Sequence, residues 1–176
     1  MTRKMEDVAR ELGEEREELF AFVKQRFIEI VEGLGKPKPK FKEYDTKIVF
    51  FLKQKPFVKS LEESERKDGK IGYGHKGIRE VPHSKISGIT LIFKHPTNEK
   101  KKVVYILLNC ARIRKEAVKF GIDMEKFTTV TLIHEMIHNL EILTGISILK
   151  SGFAKSDGFS IPIYEAWCTH IKGEVT

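Results

Sequence analysis

Apolar residues recur three and four positions apart over the first stretch of the chain: Val8, Leu12, Leu19, Phe22, Val23, Phe27, Ile30, Val31 and Leu34. That spacing is one face of an α-helix and predicts a helix over 5–34, packed on the back of a sheet. Glu residues crowd 11–18 and Lys24 and Arg26 follow, an order that suits the helix dipole. Gly13 is expected to divide a short first helix from a longer second one, and Gly33 and Gly35 to end it. Lys36-Pro37-Lys38-Pro39-Lys40 reads as an extended linker. Ile48-Val49-Phe50-Phe51-Leu52 reads as a buried strand.

Residues 54–88 are polar and rich in Lys, Glu, Gly and Pro, so they read as a long insertion with a weak hairpin around Gly72 to Gly77. His75 and His83 within it are expected at the surface. Ile89 to Phe93 and Val103 to Asn109 are two further strands. The turn His95-Pro96-Thr97-Asn98 and its lysines join them as a hairpin. A short amphipathic helix follows over 111–120, ended by Gly121, and Asp123 is placed to cap the next one. From Met124 to Thr144 there is no Pro or Gly, and Phe127, Val130, Leu132, Ile133, Met136, Ile137, Leu140 and Leu143 leave hardly a polar side. A helix apolar all round is buried between layers. Gly145 closes it, 151–160 is a loop of small and polar residues, and 161–170 is a last short helix with Pro162 in its first turn. There is no internal repeat. The expected fold is a single α/β (α+β) domain over 1–176, with a small, mostly antiparallel sheet behind a buried helix.

Composition narrows the class. At 40 % hydrophobic and 32 % charged, the 176 residues suit a soluble globular protein. No apolar run is long enough for a bilayer, and the charged N-terminus lacks the apolar core of a secretion signal, so a cytoplasmic location and no membrane partner are expected. The net charge of +7 fits a thermophile surface laced with ion pairs, or attraction to nucleic acid. No base-reading motif supports the second. Cys110 and Cys168 form no Cys-x-x-Cys pair, which excludes a cysteine zinc site and leaves two free thiols as the default, with a disulfide as the thermophile exception.

The chemistry lies in the apolar helix. Residues 134–138 read His-Glu-Met-Ile-His. On a helix, His134 and His138 share a face one turn apart, so both imidazoles reach one cation. Glu135 is about 100° further round, beside the metal, where it takes a proton from a water held by it. The plain alternative is a core helix carrying two satisfied histidines. Each buried neutral ring needs a partner at both nitrogens, and a metal supplies one for each. A catalytic zinc needs a third protein ligand. The extended motif with Gly and His after the second histidine is excluded, since 141 and 144 are Glu and Thr. Glu141 is poorly placed to reach back and suits a supporting or surface role. Asp157 sits in a loop. Glu165, in the apolar company of Ile163, Ala166 and Trp167, needs a cation or a hydrogen-bonded partner and is the preferred third ligand. His170 is its rival, and His170 or Tyr164 could instead stabilise an oxyanion.

His134-Glu-Met-Ile-His138 followed by Tyr164-Glu-Ala-Trp167 resembles the gluzincin class of zinc metallopeptidases, over roughly 89–172. The compact size and single backing helix look like the minimal gluzincins of archaea, the minigluzincins. Tyr164 and Thr169 stand where many gluzincins have Asn and Asp. The resemblance implies a zincin-like metallopeptidase domain with one zinc ion, a peptide or protein substrate, and a strand whose edge binds extended peptide, for which Val103 to Asn109 is the nearest candidate. Two alternatives keep the metal: a latent or non-catalytic zinc-binding protein of this shape, with 54–88 or a partner over the cleft, and a DNA-associated regulatory protease.

Overall fold

In a computed structural model, which describes residues 3–66, 70–71, 82–95, 97–98, 100–149 and 158–175, the first apolar stripe forms one unbroken helix, α1 (Met5–Gly33). Gly13 does not divide it. A single interior glycine costs about 1 kcal/mol relative to Ala, and burial of Leu12 and Leu19 on either side outweighs that. The helix ends where Gly35 turns to a left-handed φ of 77°.

The strands are β1 (Asp45–Phe51), β2 (Lys70–Ile71), β3 (Gly88–Lys94) and β4 (Lys102–Asn109). Their order is β1-β4-β3-β2. β3 and β4 form the expected antiparallel hairpin, from Gly88 opposite Leu108 to Lys94 opposite Lys102. β2 is antiparallel to β3, and β1 lies parallel to β4, from Asp45 opposite Val103 to Phe51 opposite Asn109. The fold is thus α/β, with a small mixed sheet in which two of the three pairings are antiparallel. β4 has a partner on both sides. That corrects the expectation of a peptide-binding edge at Val103 to Asn109, because the main-chain groups on both of its sides are already paired.

The polar stretch after β1 is not all loop. Residues Gln54–Arg66 form α2, with Pro56 in its first turn. Only Phe57 and Leu61, one turn apart, are its fully buried apolar side chains. They pack with Ile89, Leu91 and Leu107 on one face of the sheet. Two core residues in thirteen positions leave the helical period hidden among Lys and Glu. His83 is half-buried, in a single 3-10 turn at His83–Lys85. The hairpin expected around Gly72 to Gly77, and with it His75, lies outside the described residues, as does Asp157.

The other face of the sheet carries the main core. Ile106 and Leu108 point into it while Leu107 points to α2, the alternation of a strand buried on both sides. Against that face pack α1, α3 (Cys110–Phe120), α4 (Met124–Thr144) and α5 (Ser160–Val175). The last helix is longer than the expected 161–170. Among the described residues no helix is long and apolar enough to cross a membrane.

Candidate metal centre

α4 is the innermost helix, in contact with α1, α3, α5, β3 and β4. Its start is set by Asp123, whose carboxylate accepts from the N–H of Glu125 (2.9 Å) and of Lys126 (3.3 Å). Its end is set by Gly145 at a φ of 75°, with its N–H donating to Glu141 O (2.8 Å). From Leu132 to Leu143 every residue of it is buried. The expected helix, its caps and its burial are therefore all present.

The one-turn spacing brings His134 and His138 together. Their rings meet edge to face with centroids 4.7 Å apart, and the two Nε2 atoms lie 3.1 Å from each other. With metal–nitrogen bonds of about 2.0–2.1 Å, that separation corresponds to an angle of roughly 100° at a shared cation, close to tetrahedral. The pair fits two corners of a zinc shell. Glu135 stands beside them: its Oε2 is 4.0 Å from His134 Nε2. Its Oε1 accepts from Thr90 Oγ1–H at 2.8 Å, and the same hydroxyl lies 3.1 Å from the Glu135 carbonyl. His134 is 5 % exposed, Glu135 2 % and His138 0 %.

Two residues near Glu135 come from β3. The period of two puts Gly88 and Thr90 on the face towards α4, while Ile89 and Leu91 face α2. A Cβ at Gly88 would lie 2.9 Å from Thr131 Cγ2, 3.0 Å from Leu108 Cδ2 and 3.2 Å from Glu135 Cγ. Only a residue without a side chain lets strand and helix approach this closely. Small residues on one face of an otherwise Ile, Leu and Phe strand were the signal for this contact in the sequence.

Glu141 enters the centre from behind. It is fully buried. Its Oε1 is 2.8 Å from His138 Nδ1, and its Oε2 accepts from the N–H of Ile148 (2.7 Å) and of Leu149 (3.1 Å). Of the two roles open to it in the sequence, the surface one is excluded.

The other candidates lie elsewhere. Glu165 is exposed on α5 and does not join the histidine pair in a metal-holding group, and its carbonyl accepts from Thr169 Oγ1–H (3.2 Å). Its apolar neighbours in sequence are not its neighbours in space. Ile163 and Trp167, four apart, face the core, and Glu165 falls between them on the opposite side of the helix. His170 is exposed, stacked on Trp167 and tilted against Phe22, with Nε2 3.7 Å from Glu18. Tyr164 is half-buried, and its hydroxyl pKa is raised above the ordinary value by burial and by a hydrogen bond with Cys168. Among the described residues no group of three His, Cys, Asp or Glu could hold a metal ion. Cys110 and Cys168 are free thiols, and burial pushes the Cys110 pKa up to about 12.

No family model, curated protein or solved structure matches the chain.

Proposed function

We propose that the protein is a zinc-dependent metallopeptidase, with His134 and His138 as metal ligands and Glu135 as general base. One observation carries this reading: two imidazole Nε2 atoms converge at 3.1 Å, with a carboxylate held beside them by a separate hydrogen bond. A bound zinc would lower the pKa of a water and polarise a peptide carbonyl. Glu135 would take the proton from that water through Oε2, since Oε1 is engaged by Thr90. It would then hand the proton to the leaving amine. The hydrogen bond from Thr90 would hold the carboxylate in place for both transfers.

The test pairs zinc content with cleavage of an unfolded protein such as casein. Glu135→Gln should keep zinc, because Gln is nearly isosteric and the ion is held by others. Its hydrolysis should fall by about 10²–10⁴ or more, the scale of general-base catalysis. Full activity in this variant would refute the mechanism. Glu165→Gln asks whether α5 supplies the third donor in spite of its outward side chain: zinc binding should drop if it does and stay unchanged if it does not.

A second reading is supported by the burial of the centre. With none of His134, Glu135 and His138 more than 5 % exposed, a peptide would reach them only after the elements around α4 part. The protein would then be latent, or would hold zinc without catalysis. Bound zinc with no casein cleavage in the wild type would favour it over the first.

A further inference from the structure

We infer that Glu141 is a positioning residue of the metal centre: it fixes the tautomer of His138 so that Nε2 presents its lone pair to the cation. This rests on the reading of His134 and His138 as ligands.

Glu141 stands where an acid is doubly disfavoured. It is 0 % exposed in the buried stretch of α4, and a buried carboxylate is costly unless its oxygens are met by donors. It also occupies the last turn of α4, where the helix dipole repels negative charge. A leucine at this position would meet neither penalty. What the carboxylate gains is three donors at 2.7–3.1 Å: Ile148 N–H and Leu149 N–H on one oxygen, His138 Nδ1 at the other. Three residues apart on one helix, Glu141 and His138 are neighbours by geometry alone.

The chemistry follows from what each atom is able to do. A carboxylate only accepts, so the proton of the neutral ring must sit on Nδ1. Nε2 is then bare, and it is the atom aimed at His134 Nε2. Glutamine would reverse this while keeping the shape. Its single oxygen would be claimed by the two backbone N–H groups, which only donate and need an acceptor. Its NH₂ would be left facing Nδ1 and would donate to it. The proton would move to Nε2, the atom that must bind metal. Ligand histidines commonly depend on such a partner, and losing it costs about 10–100-fold in metal affinity.

Two measurements test this. Long-range ¹H–¹⁵N correlation spectra of the metal-free wild type should show His138 protonated at Nδ1, and those of Glu141→Gln should show it at Nε2. Zinc affinity, by competition with a chromophoric chelator, should fall about 10–100-fold in Glu141→Gln. An Nε2–H ring in the metal-free wild type, or equal zinc affinity in the two proteins, overturns the role of Glu141 while leaving the zinc reading intact. An Nδ1–H ring in a wild type that binds no zinc overturns the zinc reading and leaves the hold of Glu141 on His138 standing. The wild-type spectrum decides the tautomer even if the variant does not fold.

Discussion

Glu135 and Glu165 each have apolar neighbours in sequence, yet one is buried against Thr90 and the other faces solvent. The difference is angular. α4 is buried on every side from Leu132 to Leu143, so each polar residue in that stretch is carried into the core. α5 is apolar on one side only, so a polar residue between two core positions turns outward. Cys110 shows burial acting on reactivity. With its pKa pushed up to about 12 by desolvation, hardly any thiolate exists at neutral pH. Iodoacetamide should leave Cys110 unmodified in the native protein and label it on unfolding, while the half-buried Cys168 is open to labelling in both states. Peptide mass mapping separates the two sites, and rapid native labelling of Cys110 would contradict its packing.

At the scale of elements, two glycines do opposite things. Gly13 sits inside α1 with open space around it: an added Cβ would meet only Phe50 Cε2, at 3.9 Å. Gly13→Ala should therefore stabilise the protein by about 0.5–1 kcal/mol, the helix-propensity difference. Gly88 sits where β3 crosses α4, and a Cβ there would press on Thr131, Leu108 and Glu135. Thr131 cannot swing away easily, since its hydroxyl is bonded to Phe127 O at 2.8 Å. Gly88→Ala should lower the melting temperature and, on the proposed mechanism, reduce the rate by displacing Glu135. Thermal melts of the two variants should shift in opposite directions. In the sequence these glycines look alike, one in a helical pattern and one at the head of a strand. Only the identity of the crossing element separates them.

At the scale of the molecule, charge makes a pH prediction. Glu15 on α1 has a pKa raised above the ordinary 4.5, first by desolvation and then by the like charges of Glu11, Glu18, Glu125 and Glu14. A carboxyl with a raised folded pKa is held protonated more tightly in the native state, so its contribution to stability falls as pH rises from about 4.5 through the folded value. Glu15→Gln should accordingly raise the melting temperature at pH 7 and make no difference well below pH 4.5. A gain at acid pH instead would reverse the sign and sink this account. The same comparison of local and distant causes explains what could be read without coordinates. The α/β class, the caps Asp123 and Gly145, the buried α4 and the shared face of His134 and His138 all follow from the sequence, because helical period and capping depend on residues within a turn or two of each other. The strand order did not follow. Strand runs carry no label for their partners, and β1 pairing parallel to β4 is what removed the expected free edge. Nor did the outward turn of Glu165, which depends on the side of α5 that meets the core. The hold of Thr90 on Glu135 spans 45 positions, and that of Glu141 on Ile148 and Leu149 depends on how the chain folds back after Gly145. Contacts of that kind are decided only when the layers pack, since each donor finds its acceptor through the path of the whole chain rather than through the residues beside it.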